Sequence, residues 1–400
     1  MNLFVTLGKA LVDRSHHVIF FGIPEIADKM QASGLEHRHL EPESAPSGSL
    51  ASLIRSMADA QGLQSFQIQQ RFDCLRSMGI LEQGPRLIKE AKLDALVIDQ
   101  AEACGGSVAE VSGLPWVTVC SALCLNAEPR VPPFFTSWSY AESRAAIVRN
   151  QIAYTVAGLA TRPAQNLING YRRKMGLPLF KRLDDTFSPF AQICQQNREF
   201  DFPRQQLPEC FHYAGPIRSP AGSCEFPWER LDGRPLIYAS IGTLFNQHRY
   251  IYRVIAEACA GIEAQLVLSL GGGAEASEYA ELSGSPLVVK FAPQRELLKH
   301  AALTITHAGL NSTLESLSEG VPLVAIPITS EQPAVAARIR WTGTGDFVNL
   351  RRLTAERLRR TIERVMKAPA YRQAAQQMKT ALLQTRGSAR AVEIIEEVIL

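Results

Sequence analysis

Short apolar runs alternate with helical stretches twice along this chain, and an alternation of that kind has few folded solutions. In the second half, strands are read at 235–240, 264–270, 286–291, 302–306 and 321–326. Helical segments near 249–261, 310–318 and 331–340 separate them. In the first half, Leu3, Phe4, Leu7, Ala10 and Leu11 recur at helical spacing before the buried run from His17 to Phe21. Residues 94–99, a small-residue helix from Ala101 to Val111, and Pro115 to Val119 then repeat strand, helix and strand. Strands joined by crossover helices lie parallel and need helices on both faces, so the class is α/β with doubly wound, Rossmann-like sheets.

A chain of 400 residues exceeds what one core organises, so two domains follow. The run Arg218-Ser219-Pro220-Ala221-Gly222-Ser223 marks the linker. The first domain is therefore set at 1–217 and the second at 218–384. Residues 385–400 form a last helix expected to pack back on the first domain. Residues 139–176, rich in Ala, Arg and Gln, read as helices that either wall a cleft or cover the sheet.

Basic residues exceed acidic ones by 42 to 39, which argues against nucleic acid as partner. Eight cysteines without a C-x-x-C pair indicate neither a zinc nor a redox motif. No apolar run reaches the roughly 18 residues of a membrane span, so any membrane contact is expected to be peripheral. With no signal peptide at Met1, a cytoplasmic home is expected.

The stretch from Ile305 to Glu315 carries the most chemical information. A buried strand ends at Thr306, and His307, Ala308, Gly309, Leu310, Asn311, Ser312 and Thr313 open a helix. Such a junction presents free backbone N–H groups and the positive end of a helix dipole, which together hold a phosphate. Ligands of open α/β sheets bind outside the carboxyl ends of strands, where this junction lies. Glu315, one turn in, can accept hydrogen bonds from sugar hydroxyls. Taken singly, Asn311 or Ser312 reads as a helix cap and His307 as a loop residue.

Together these residues resemble the signature of the family-one UDP-dependent glycosyltransferases of the GT-B fold, two Rossmann-like domains facing across a cleft. The match extends through Gly320 to Pro327, Glu331-Gln332-Pro333, Phe291-Ala292-Pro293-Gln294 and Ala239-Ser240-Ile241-Gly242-Thr243. The resemblance implies that His307, Gly309 and the backbone at Asn311 and Ser312 hold a pyrophosphate, with Gly242 and Thr243 opposite. It implies that Glu315 binds the ribose, that Phe291 to Gln294 face the uracil, and that Glu331 and Gln332 meet the hexose hydroxyls. Phe291 stands where plant members carry Trp, and Glu331 where many carry Asp. The segments Phe187 to Ile193 and Asp201-Phe202-Pro203-Arg204 resemble bacterial zeaxanthin glucosyltransferases. The implied reaction moves a hexose, glucose from UDP-glucose, to a lipophilic alcohol such as a carotenoid hydroxyl. The aromatic run Phe134 to Tyr140 either lines the acceptor cleft or packs as a loop on helices.

Inverting transfer needs a base for the hydroxyl proton and stabilisation of the leaving nucleotide. No metal is implied, since no Asp-x-Asp pair or His/Cys cluster has ligand spacing. In the family the base is a His after the first strand, oriented by an Asp that Asp99 matches. Aligned on the opening helix, that strand and its His fall before Met1, so a central strand is expected to be missing from the first sheet. His16 and His17 match the lead-in to the next strand and are not expected to act as base. A nucleotide-sugar-binding protein without transfer, and a sugar-nucleotide epimerase or hydrolase, are the competing classes.

Overall fold

The computed structural model describes residues 2–399 apart from 47, 60–61, 219–223, 243–248, 273 and 280. Thr243 and most of the expected linker lie outside the described residues.

The first domain runs α1 (Asn2–Val12), β1 (Ile19–Gly22), α2 (Ala27–Ala32), β2 (Glu36–His39), α3 (Ser49–Asp59), α4 (Gly62–Ala91), β3 (Leu96–Asp99), α5 (Gly105–Ser112), β4 (Trp116–Cys120), α6 (Arg144–Ala160), α7 (Arg162–Lys174), β5 (Ala191–Cys194) and β6 (Phe211–Tyr213). Strands β3 to β6 make a four-stranded parallel sheet in sequence order, and β1 pairs with β2 in a separate parallel pair. Among the described residues no strand joins β1 to β3. Helix α1 spans this break. Its Leu3, Leu7 and Leu11 share a core with Val117, Val119 and Ile193, and Val18 and Val97 pack against the same cluster.

The expected helix from Ala101 begins four residues later, at Gly105. The Asp99 carboxylate accepts from the Ala101 N–H at 3.1 Å and the Asp99 carbonyl from Glu102 N–H at 2.8 Å. That turn uses the backbone groups that would otherwise start the helix.

The second domain runs β7 (Leu236–Ser240), α8 (Arg249–Cys259), β8 (Gln265–Ser269), β9 (Leu287–Val289), α9 (Gln294–Leu298), β10 (Ala301–Thr306), α10 (Leu310–Ser318), β11 (Leu323–Ala325), α11 (Gln332–Trp341), β12 (Gly345–Phe347), α12 (Ala355–Lys367) and α13 (Pro369–Leu383). Its six strands pair in parallel in the order β12-β11-β10-β7-β8-β9. Ile237, Ala239, Leu268, Leu303 and Ile305 are fully buried in its core. The order reverses between β7 and β10, so this pair is the switch point where a crevice opens above the sheet.

Leu123 and Phe200 of the first domain join the core of α10, α11 and α13, and two further contacts stand out between the domains. Helix α14 (Ser388–Ile399) crosses to the first domain, where Ala391, Val392, Ile394 and Ile395 join the core under α1. The second contact is charged. Arg338 of α11 donates to Asp201 Oδ1 from Nε at 2.9 Å and Nη2 at 2.7 Å. Arg204 Nε and the Tyr213 hydroxyl donate to Asp201 Oδ2 at 2.7 and 3.0 Å. Phe202 and Trp341 pack edge-on beside the pair, and Tyr140 stacks on Phe202. Every charge here is buried, so it stands only because each is matched.

Candidate functional site

The site sits at the C-terminal ends of β7 and β10, whose last residues Ser240 and Thr306 are in register. His307 follows β10 directly, and Ala308 turns the chain at a left-handed φ of 64°. Gly309 then occupies the N-cap of α10 without any side-chain cap. The first intrahelical bond is Thr313 N–H to the Gly309 carbonyl. The amides of Leu310, Asn311 and Ser312 therefore have no partner within the helix and are free for an anion.

The imidazole of His307 is wedged between two glycines. A Cβ on Gly309 would lie 2.5 Å from its Nε2, and one on Gly242 would lie 2.8 Å from its Cε1. Gly242 also has φ of +81°, a backbone state that other residues rarely adopt. Both glycines are thus needed to seat the ring. Burial holds His307 down at about 4, opposed by the backbone of Ser240. It is neutral near pH 7, so it would meet a phosphate as an N–H donor, with the helix terminus supplying the positive potential. Thr306 Oγ1 and Thr313 Oγ1 are buried and lack a hydrogen-bond partner among the described residues. Unsatisfied polar atoms gathered at one junction mark a place where a ligand completes the bonding.

Glu315 lies one turn into α10. Gln294 Nε2 donates to its carboxylate, and the buried Tyr238 hydroxyl on β7 donates to Gln294 Oε1 at 3.0 Å. Burial raises the Glu315 carboxyl, opposed by Gln294 and by the guanidiniums of Arg218 and Arg295. Burial raises Glu331 as well. Both carboxyls can accept hydrogen bonds from hydroxyl groups.

Phe291 is 51% exposed, and a Cβ on Gly272 would fall 2.5 Å from its Cζ. The ring therefore lies flush on a backbone, with its exposed side open to a base. Glu331 is the N-cap residue of α11. Gln332 is buried, and its Oε1 accepts from the Ile328 and Thr329 amides at 2.8 and 3.0 Å. Its oxygen shapes the loop before α11, leaving only its NH₂ for a hydroxyl.

Of the expected residues, Gly242, His307, Gly309, Asn311 and Ser312 lie at the β7 and β10 ends, Gln294 bonds Glu315 one turn into α10, Phe291 lies on Gly272 after β9, and Glu331 and Gln332 open α11, each on the C-terminal face of the parallel sheet. Tyr238, Gly272 and Arg218 also shape this region, though the sequence reading did not single them out. Tyr238 carries the only readable signal, a hydroxyl inside an otherwise apolar strand. Asp99 belongs to the first domain, and its carboxylate accepts from the nearby Ala101 N–H. Beside it, Arg76 of α4 pairs with Glu102 at 3.1 Å and Asp73 at 3.2 Å. His16 is held by Glu396 and His17 by Glu36, each at 3.0 Å. Both histidines are thus bonded to carboxylates of other elements. The aromatic run divides: Tyr140 is in the domain contact, Trp138 lies under Arg149, and Phe134 and Phe135 meet edge-on.

Comparison with known proteins bears on the fold and the family. The family model described as UDP-glucoronosyl and UDP-glucosyl transferase matches residues 67–384. The chain is 33% identical to the zeaxanthin glucosyltransferase of Pantoea ananas over 98% of this chain and 92% of that protein. It is 33% identical to that of Pseudescherichia vulneris, over 80% of this chain and 77% of the relative. Among solved structures, the calicheamicin glycosyltransferase CalG4 superposes with a TM-score of 0.77 at 20% identity, covering 99% of this chain and 94% of that one. The glycosyltransferase VinC in complex with dTDP gives 0.69 at 18% identity over 100% and 96%. The fold is GT-B, and the chain belongs to the UDP-glucuronosyl and UDP-glucosyl transferase family of glycosyltransferases.

Proposed function

We propose that this protein transfers glucose from UDP-glucose, with inversion, to a hydroxyl of a lipophilic small molecule, a carotenoid such as zeaxanthin being the favoured acceptor. The observation that carries the donor half is the His307 ring seated between Gly242 and Gly309 over an uncapped helix terminus. The acceptor half rests on the full-length similarity to zeaxanthin glucosyltransferases. In the reaction the acceptor oxygen bonds the anomeric carbon as its bond to the diphosphate breaks. The α10 amides and His307 take up the charge on the departing UDP, and a base removes the hydroxyl proton. Asp99 would act on that proton or orient the group that does. No metal is required in this scheme, because the helix terminus supplies the positive potential.

One observation favours a second reading, a nucleotide-sugar-binding protein without transfer. The Asp99 carboxylate accepts from Ala101 N–H, and His16 and His17 are held elsewhere. Incubation with UDP-glucose and zeaxanthin in detergent, read by chromatography of the pigment, separates the two. A glucoside supports the transferase. UDP binding with no glycoside supports the second reading, and UDP release with no glycoside would point instead to a hydrolase.

A further inference from the structure

Helix α6 has one covered face and, opposite it, an exposed apolar one. On the covered face, Asn150 donates to the Pro129 carbonyl at 3.0 Å and the Tyr154 hydroxyl to that of Val131 at 3.2 Å, beside buried Ala146. On the other, Val148, Ile152, Val156 and Leu159 are 52, 59, 59 and 49% exposed. Their spacing of three and four residues makes one continuous stripe. After α7, Met175, Leu179 and Leu183 are exposed as well. Soluble surfaces rarely gather apolar side chains in this way without a partner.

Charge is segregated in the same segment. Between Ser143 and Leu183 stand eight basic residues and no acidic one, bounded by Glu142 and Asp184. The whole chain carries only +3, which leaves the remainder at −5. Arg172 is buried against Glu110, Arg149 covers Trp138, and Arg182 is 3.6 Å from Asp184. Arg144, Arg162, Arg173, Lys174 and Lys181 are exposed. Between α6 and α7 opens a groove of about 390 Å³, where Arg162 and Lys181 stand with Thr155, Gln165, Asn166 and Asn169.

We propose that this face docks on an anionic lipid bilayer, with the α6 stripe at the acyl boundary and the cations among the headgroups. An apolar stripe beside basic residues fits such a surface on both counts. A second copy docked through the same face would bring two strongly basic segments together. An uncharged ligand would leave the cations without a role. The assignment does not depend on the acceptor, because its readout needs no turnover.

Flotation with vesicles tests it. The full chain binds vesicles rich in phosphatidylglycerol, binds those of phosphatidylcholine weakly, and is released by salt. Each exposed charge removed lowers vesicle affinity about fivefold, so Arg162→Gln with Lys181→Gln shows the two effects combined. Ile152→Ser with Val156→Ser lowers it about tenfold or more. UDP binding is unchanged in both double variants, which reports that they fold. Equal binding to neutral vesicles, undiminished binding of the serine variant, or a dimer that dissolves on Ile152→Ser overturns the assignment.

Discussion

The six-stranded sheet of the second domain and the divided sheet of the first arise from the same strand–helix alternation, yet they prepare their sites differently. In the second, every strand is paired in one ladder and the switch point falls beside His307. The ring is wedged between two glycines, and the buried Thr306 and Thr313 hydroxyls lack a hydrogen-bond partner among the described residues. In the first, β1–β2 and β3–β6 are separate, and Asp99 is bonded to its own turn. A continuous sheet can hold a crevice open at fixed geometry, whereas a divided one has its nearby polar groups engaged locally. The second domain is preorganised in a sense the first is not.

The contrast can be broken first at the contact joining the halves. Asp201→Ala leaves Arg338 and Arg204 buried without their carboxylate, and a loss of about 3–5 kcal/mol in urea unfolding is expected. A loss under about 1 kcal/mol would show that the domains do not depend on this pair. The surrounding guanidiniums hold the Asp201 carboxyl well below its ordinary range, against the effect of burial. That stabilisation is present above an unfolded value of 3.8 and is lost as pH falls below it. The acid limb of the stability curve should therefore flatten in Asp201→Ala.

A second, slightly smaller effect belongs to His307. The unfolded imidazole takes a proton near 6.5, the folded one near 4. Stability is full above 6.5, falls as pH drops, and the loss is complete below about 4. The gap corresponds to about 3 kcal/mol. Denaturant titrations of wild type and His307→Asn across this window isolate it; parallel curves would place the ring in a solvated site.

Gly309→Ala sharpens the same point. The added methyl displaces the ring, and UDP binding should weaken by about 1–3 kcal/mol. In a His307→Ala background the same change should cost almost nothing, since the ring it strikes is gone. Additive losses would mean that the glycine serves the helix terminus directly. The smallest effect is expected at Phe291, half-exposed on Gly272. Phe291→Ala should lose about 1 kcal/mol of UDP affinity and Phe291→Trp almost none.

Legibility in the sequence follows the same division. Strands at 235–240, 264–270, 286–291, 302–306 and 321–326 correspond to β7, β8, β9, β10 and β11, because long aliphatic runs buried on both faces are hard to mistake. Strands β2, β5, β6 and β12 went unread: Glu36-His37-Arg38-His39 is wholly polar, and Gln192, His212 and Asp346 interrupt the others. Helix α4, 30 residues long with Pro85 inside, shows no clear apolar stripe because Gln and Ser fill much of its first turns. At the site, the Gly-His-Gly seating lies in residues the motif already marked, whereas Gly272 under Phe291 joins residues far apart in sequence. The Asp201–Arg338 pair spans 137 positions and belongs to no periodic pattern. The charge of segment 143–183 was hidden by averaging over the whole chain.

The most direct test of the proposed donor site is calorimetric titration of UDP into wild type, His307→Ala and His17→Ala. The geometry predicts a single UDP site that is lost or strongly weakened in His307→Ala and intact in His17→Ala. Equal UDP binding by His307→Ala and wild type would contradict it.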